Sequence, residues 1–294
     1  MPSHPFSRED HGRAAFHARG LHAKRSFGQC FLADPNIARN IALEATSPQG
    51  GTCLEIGPGT GALTRYLLAR AARVVAVERD RDLVPLLRET YAEEVEADRL
   101  RVVEADAAAR SWLDLLADGP RPHCIVGNVP YQITGRLLQR AIDTAPAVDR
   151  VVFMVQKEVA DRIGAPVGAK EYGALSVFVQ HAFVLLRRMF VPSSCFRPRP
   201  QVDSTVVVLQ PRGWDGPAAS TFEWLVTAAF SRRRKTLRNA VKGWRGVDGD
   251  TWEKIARQAG ISLDDRAERV APDQWRILAQ LVEEAVSEKA GAGG

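Results

Sequence analysis

The sequence predicts an α/β fold: a mostly parallel sheet with an antiparallel edge and helices on both faces, followed by a small all-helical C-terminal domain. Three observations carry this. Short apolar runs alternate with helix-like stretches between residues 52 and 155, the pattern of strands joined by crossover helices. Two further strand-like runs, 184–191 and 204–209, flank the proline-rich stretch 192–200, and such a closing pair suits an antiparallel edge. Beyond a Gly/Pro cluster at 211–217 the chain reads as helices only, so the domain boundary falls there.

Taken in order, residues 1–23 lack sustained periodicity and read as a flexible arm. Strands are expected at 52–56, 74–77, 100–103, 124–126 and 151–155, with helices at 62–72, 83–91 and 132–144. Residues 24–212 then form the sheet domain, and 213–294 a helical domain ending in a disordered Gly/Ala-rich tail. In that last domain Val226, Phe230, Leu237, Val241 and Trp244 recur at helical spacing beside a stripe of Arg234, Arg238, Lys242 and Arg245. This predicts one amphipathic helix with a basic edge.

A content of 45% hydrophobic and 26% charged residues is that of a soluble globular protein. The apolar stretches fall far short of the roughly 20 residues that span a bilayer, so no membrane partner is expected. The N-terminal residues Pro2, Pro5, Arg8, Glu9, Asp10 and Arg13 have no apolar segment behind them, unlike a secretory signal. Four cysteines without a C-x-x-C pair suggest neither a metal site nor a disulfide frame. Cys53 and Cys124 lie in or beside strand-like runs and read as buried free thiols. A cytoplasmic location fits all of this.

The net charge of +5 is mild, but seven basic and no acidic residues fall between 231 and 245. Arg232, Arg233, Arg234, Lys235, Arg238 and Lys242 are therefore candidates to meet a polyanion such as RNA. A solvated helix face is the plainer reading of the same run.

The first strand runs into Glu55-Ile56-Gly57-Pro58-Gly59-Thr60-Gly61. Glycines such as Gly57 and Gly59 let a backbone pass close to a ligand. The spacing matches neither a phosphate-binding loop with its Lys-Ser/Thr nor the dinucleotide fingerprint. Glu78 ends the second strand, where a carboxylate can accept hydrogen bonds from both hydroxyls of a ribose. Asp106 follows the third, placed to take an adenine amine. Each alone reads as a loop carboxylate; together, at the carboxyl ends of consecutive strands, they outline a cleft for an adenosine-containing cofactor.

The fourth strand ends in Gly127-Asn128-Val129-Pro130-Tyr131. An adenine exocyclic amine is a poor nucleophile because its lone pair is delocalised into the ring. The Asn128 amide oxygen and the Pro130 carbonyl can accept its two hydrogens and aim that lone pair at a methyl sulfonium, and the Tyr131 ring can stack on the base. Phe196 is exposed by its proline-rich setting; alone it reads more readily as a packed aromatic, and a place on the opposite face of the base rests largely on the resemblance that follows.

These segments resemble the rRNA adenine N6-dimethyltransferase family, most closely its bacterial small-subunit branch. The resemblance runs from about Lys24 to Gln280 and is carried by Ser26-Phe27-Gly28-Gln29-Cys30-Phe31-Leu32, the glycine turn, Gly127–Tyr131, 155–162, 172–177, Phe196-Arg197-Pro198, Val202-Asp203-Ser204 and 229–239. It implies a Rossmann-like class I methyltransferase domain. It also implies S-adenosylmethionine as cofactor, contacted at Cys30, Leu32, Gly57, Gly59, Glu78, Asp106 and Asn128, with no metal. As substrate it implies two adjacent adenosines in the 3′-terminal hairpin of small-subunit rRNA, met by a monomer in a late pre-30S particle. Two positions depart from the pattern: Cys30, where the family usually has asparagine, and Val129, where it commonly has leucine. A thiol is the weaker hydrogen-bond partner, so cofactor affinity is expected to fall. Two rival readings are a large-subunit adenine methyltransferase of the macrolide-resistance type and a non-catalytic assembly factor.

Overall fold

The computed structural model describes residues 11–213, 219–232 and 234–292. The chain divides into two compact units, Met1–Ala160 with Leu185–Pro211, and Asp161–Val184 with Arg212–Gly294.

The first unit is built on a seven-stranded sheet of β1 (Thr52–Ile56), β2 (Arg73–Glu78), β3 (Leu100–Glu104), β4 (His123–Asn128), β5 (Arg150–Gln156), β6 (Phe183–Val191) and β7 (Ser204–Pro211). Their order is β3-β2-β1-β4-β5-β7-β6. The first five pair in parallel, and β7 pairs antiparallel with β5 from Val151↔Leu209 to Gln156↔Ser204. Every residue of β1 is buried, as are the β-branched runs of β5 and β7, because helices cover both faces of a parallel sheet. The order reverses between β1 and β4, and a crevice opens there at the carboxyl ends of the strands.

Around the sheet lie α1 (His11–Ala18), α2 (Pro35–Ala45), α3 (Thr64–Leu68), α4 (Leu83–Thr90) and α5 (Thr134–Thr144). Asp34 caps α2 by accepting from the Asn36 and Ile37 amides at 2.8 and 3.2 Å, with proline in the first turn. The core of this unit includes Ile41, Leu67, Leu87, Val126, Val152 and Val206.

The second unit is helical: α6 (Ala174–Ala182), α7 (Ala219–Ser231), α8 (Leu237–Val241), α9 (Gly249–Gln258) and α10 (Pro272–Ala292). Its core gathers Tyr172, Val177, Phe222, Leu225, Trp252, Ile255 and Trp275. The Tyr172 hydroxyl donates to the Val270 carbonyl at 2.8 Å.

Four expectations change. The arm expected over 1–23 contains α1, whose one buried side chain among the described residues, Phe16, packs with Leu83 and Leu86 of α4. A single buried position leaves no periodicity to read. Residues 161–184 group with the C-terminal helices and not with the sheet, because Tyr172 and Val177 feed the helical core. The single basic helix is broken: α7 ends at Ser231, and Thr236 is extended before α8 begins. The tail expected to be disordered is helical through Ala292, while Gly293 and Gly294 lie outside the described residues, as do residues 1–10 and 214–218 of the expected arm and boundary.

Glu55 gives a test of this core. It is fully buried on β1, accepts a hydrogen bond from Thr64 Oγ1 at 2.7 Å, and burial pushes its pKa up to about 8. An acid whose pKa is higher folded than unfolded keeps its proton longer in the native state, so stability falls as pH rises between the two values. Glu55→Gln should gain on the parent from about pH 5 to pH 8, by up to ~1.4 kcal/mol per pH unit, and hold that gain above pH 8. Urea denaturation at pH 5, 7 and 9 checks this; a pH-independent difference would show Glu55 ionised in the folded chain.

Candidate functional site

The chain leaves β1 through glycines in the left-handed region, Gly57 at φ +67° and Gly59 at φ +61°. A Cβ on Gly59 would sit 2.9 Å from the Phe31 ring, so both conformation and space call for glycine. The turn is fastened from the neighbouring strand. Gly57 N donates to the Val77 carbonyl at 3.0 Å, and Gly59 N to Glu78 Oε2 at 3.1 Å. The other oxygen of Glu78 accepts from Asp80 N at 2.8 Å. Burial pushes the Glu78 pKa up, against the pull of these backbone donors. Asp106, past β3, is held by Ala108 N, which donates to Oδ1 at 2.9 Å.

On the other side of the crevice stands Asn128, the last residue of β4. Its Nδ2 donates to the Cys30 carbonyl at 2.9 Å, which turns Oδ1 away as a free acceptor among the described residues. Past it, Val129 N donates to the Met154 carbonyl at 3.1 Å, continuing the β4–β5 ladder. The Tyr131 hydroxyl shares a 2.8 Å hydrogen bond with Ser204 Oγ, tying the half-buried ring to β7.

One cleft of about 940 Å³, including its open mouth, is lined by Cys30, Gly57, Gly59, Glu78, Asp106, Asn128, Pro130 and Tyr131. Most of the residues singled out from the sequence therefore meet. Three details differ. Phe196 is not exposed: it is fully buried in the core, its backbone paired with Leu32 in a short antiparallel ladder that turns the ring inward. Leu32 belongs to the same core and is absent from the cleft wall, where its neighbours Cys30 and Phe31 stand. The Pro130 carbonyl already accepts from Ile133 N at 3.1 Å and Thr134 Oγ1 at 3.2 Å. A carbonyl has two lone pairs, so the free carbonyl in this turn, among the described residues, is that of Val129.

Sequence reasoning missed Phe27, Gln29, Arg79 and Gln132, which also line the cleft. Gln29 Nε2 donates to Asp80 Oδ2 at 2.7 Å, and Arg79 lies 5.2 Å from the Phe27 ring centroid. The signal for the first two was their place in the Ser26–Leu32 segment; nothing local marked Arg79 or Gln132.

The basic run behaves as two sets. Arg238 is engaged within its own unit by Glu253 and Asp264. Arg232, Arg234, Lys235 and Lys242 are exposed and have no acidic partner among the described residues. Arg233 lies outside the described residues.

No ligand is needed to test the fit of an adenosyl cofactor. The glycine turn leaves room where a Cβ would intrude, Glu78 and Asp106 offer acceptors, and Ile56, Val77 and Leu83 supply apolar wall. Strand order, switch-point cleft and an Asn-x-Pro-Tyr corner together define a Rossmann-like methyltransferase. Comparison with known proteins narrows this. The family model described as ribosomal RNA adenine dimethylase matches residues 20–284. Ribosomal RNA small subunit methyltransferase A of Anaeromyxobacter sp. (strain K) is 38% identical over 277 residues, 90% of this chain and 95% of the relative. A dimethyladenosine transferase from Plasmodium falciparum shares the fold with a TM-score of 0.67 at 23% identity, over 86% of this chain and 97% of that one. The 23S rRNA methyltransferase ErmE gives a TM-score of 0.63 at 27% identity, over 86% and 99%. The chain belongs to the ribosomal RNA adenine dimethylase family.

Gly127 tests how tightly Asn128 is placed. A Cβ there would lie 2.6 Å from the Ile56 carbonyl oxygen of the paired strand. Gly127→Ala should cost roughly 1–3 kcal/mol in urea denaturation and reduce methyl transfer by moving Asn128. Full activity with full stability would show that β1 and β4 can part there without consequence.

Proposed function

We propose that this protein transfers methyl groups from S-adenosylmethionine to the exocyclic amines of two adjacent adenines in the 3′-terminal hairpin of small-subunit rRNA, acting as a cytoplasmic monomer on a late pre-30S particle. The observation that carries the reading is Asn128: it lines the cleft, and with its amide nitrogen committed to Cys30 its oxygen is left as a free acceptor among the described residues.

Glu78 and Asp106 would hold the ribose and adenine of the cofactor, and Gly57 and Gly59 would let it approach the backbone of the turn. When bound, S-adenosylmethionine supplies a methyl group on a cationic sulfur. Asn128 Oδ1 and the Val129 carbonyl accept the two hydrogens of the target amine, which draws the nitrogen toward a tetrahedral shape and exposes its lone pair. The Tyr131 ring stacks on the extruded base and excludes water. The methyl carbon would pass from sulfur to that nitrogen, leaving a neutral thioether, and the product ammonium would be acidic enough to lose its proton to solvent without a strong base from this chain. Positioning and dipoles account for the rate.

The small-subunit reading is supported by 38% identity to a relative named for the small subunit, against 27% for a 23S enzyme. No helix among the described residues is long and apolar enough to cross a membrane. Phe196 contributes core packing in this reading, not a base contact.

Purified small and large subunits incubated with the protein and labelled cofactor test the assignment: label belongs in small-subunit rRNA, and mass spectrometry should locate two dimethylated adenines. Label confined to the large subunit would overturn it. Asn128→Ala should lower kcat by at least ~100-fold, the scale of losing one fixed dipole at a reacting atom, while subunit binding is retained. Separately, neutralising Arg232, Arg234, Lys235 and Lys242 together should flatten the log–log salt dependence of subunit binding by about 1 for each phosphate that is no longer neutralised. An unchanged salt slope would mean the run is a solvated surface.

A further inference from the structure

Residues 11–31 do more than precede the sheet. The backbone of α1 lies on the glycine turn, so closely that a Cβ on Gly12 would fall 1.9 Å from the Thr60 carbonyl oxygen. Phe16 packs on Leu83 and Leu86 and meets Phe31 edge-on at 5.4 Å between centroids. Leu83 and Phe31 are themselves walls of the cleft. Downstream, Ser26–Phe31 form one whole side of it.

Besides the Phe16 packing and the Cys30–Asn128 hydrogen bond, this segment is held by one buried carboxylate. Asp80, 2% exposed, receives Lys24 Nζ and Asp82 N on Oδ1 and Gln29 Nε2 on Oδ2. Lys24 Nζ also reaches Asp82 Oδ2 at 2.6 Å, and Lys24 N donates to Gln29 Oε1 at 2.7 Å. From the same residue, Asp80 N donates to Glu78 Oε1. One aspartate thus joins the segment over the cleft to the carboxylate beneath it. The family match begins at residue 20, so α1 lies outside it.

We propose that residues 11–31 are a cover that retains the cofactor and its demethylated product, and that Asp80, by gripping Lys24 and Gln29, is the positioning residue that keeps the cover shut against Glu78. The inference rests on reading the cleft as the S-adenosylmethionine site. Losing the grip at Lys24 leaves the separate Cys30–Asn128 hydrogen bond in place, so binding and release should change more than the geometry at Asn128.

The test uses the full chain and S-adenosylhomocysteine, with no RNA. Lys24→Met removes the grip from a half-exposed side chain and should raise the Kd and the dissociation rate about tenfold, as expected for one charge-assisted hydrogen bond. KM for S-adenosylmethionine should rise while kcat holds, and Lys24→Arg should restore most of the affinity. Gly12→Val, which lifts α1 from Thr60 without touching the latch, should speed dissociation in the same direction. Hydrogen exchange over 24–31 should rise in Lys24→Met with thermal melting unchanged. Asp80→Asn should match Lys24→Met; if it fails to fold, the Lys24 and Gly12 variants decide. Unaltered Kd, off-rate and exchange in both of these would overturn the cover. Failure of the parent chain to bind S-adenosylhomocysteine would instead overturn the cofactor reading itself.

Discussion

The hydrogen bond from Asn128 Nδ2 to the Cys30 carbonyl is the contact on which the site depends. An amide has a donor end and an acceptor end. Once the donor is committed inside a sheltered crevice, flipping it would set two oxygens against each other and leave a buried carbonyl unpaired, at a cost of about 1–3 kcal/mol. Oδ1 is thereby kept as the acceptor end of a residue that lines the cleft. The same bond docks the Ser26–Phe31 segment against the end of β4, so the cofactor wall and the reacting corner are built by one interaction. Its own footing is the sheet: Asn128 is paired with Met154, and Val129 N carries the ladder one residue further.

Much of this was legible in the sequence. Runs such as Val74–Val77 and Val151–Val155 are too apolar to be half-exposed, so a sheet covered on both faces followed directly. Glu78 and Asp106 stood out because one ends such a run and the other follows closely on the next strand. What escaped notice depends on distant partners. Phe196 sits among prolines that signal a loop, yet its ring is placed by a ladder to Phe31–Leu32, far away in the chain. Helix α1 has one buried side chain among the described residues, Phe16, and one such position makes no period. The break between α7 and α8 falls in a run without glycine or proline, where spacing alone favours a continuous helix. The Pro130 carbonyl looked available because neither Ile133 N nor Thr134 Oγ1 announces that it folds back on that turn.

The broken helix changes what the basic run can do. On one amphipathic helix, Arg234, Arg238 and Lys242 would present charges in a line. In the structure Arg238 is taken up by Glu253 and Asp264, and serves to brace α8 against the region of α9. Exposed pairs of this sort contribute little singly, about 0–1 kcal/mol each, but a guanidinium shared between two carboxylates is no longer free to neutralise a phosphate. The charges still available cluster at the turn after α7, with Lys242 at the end of α8.

Cys30 can be judged on the same terms. An asparagine at this position would offer the cofactor a strong donor and acceptor, whereas the thiol that stands here, pushed further toward its neutral form by burial, offers little. That loss is confined to the cleft wall. What Cys30 gives to Asn128 is its main-chain carbonyl, which any residue supplies equally. In the proposed reading a thiol here would weaken one side-chain contact to the cofactor, while the main-chain hydrogen bond to Asn128 stays intact. Loss of affinity and loss of chemistry are separable here, because one travels through a side chain and the other through the backbone.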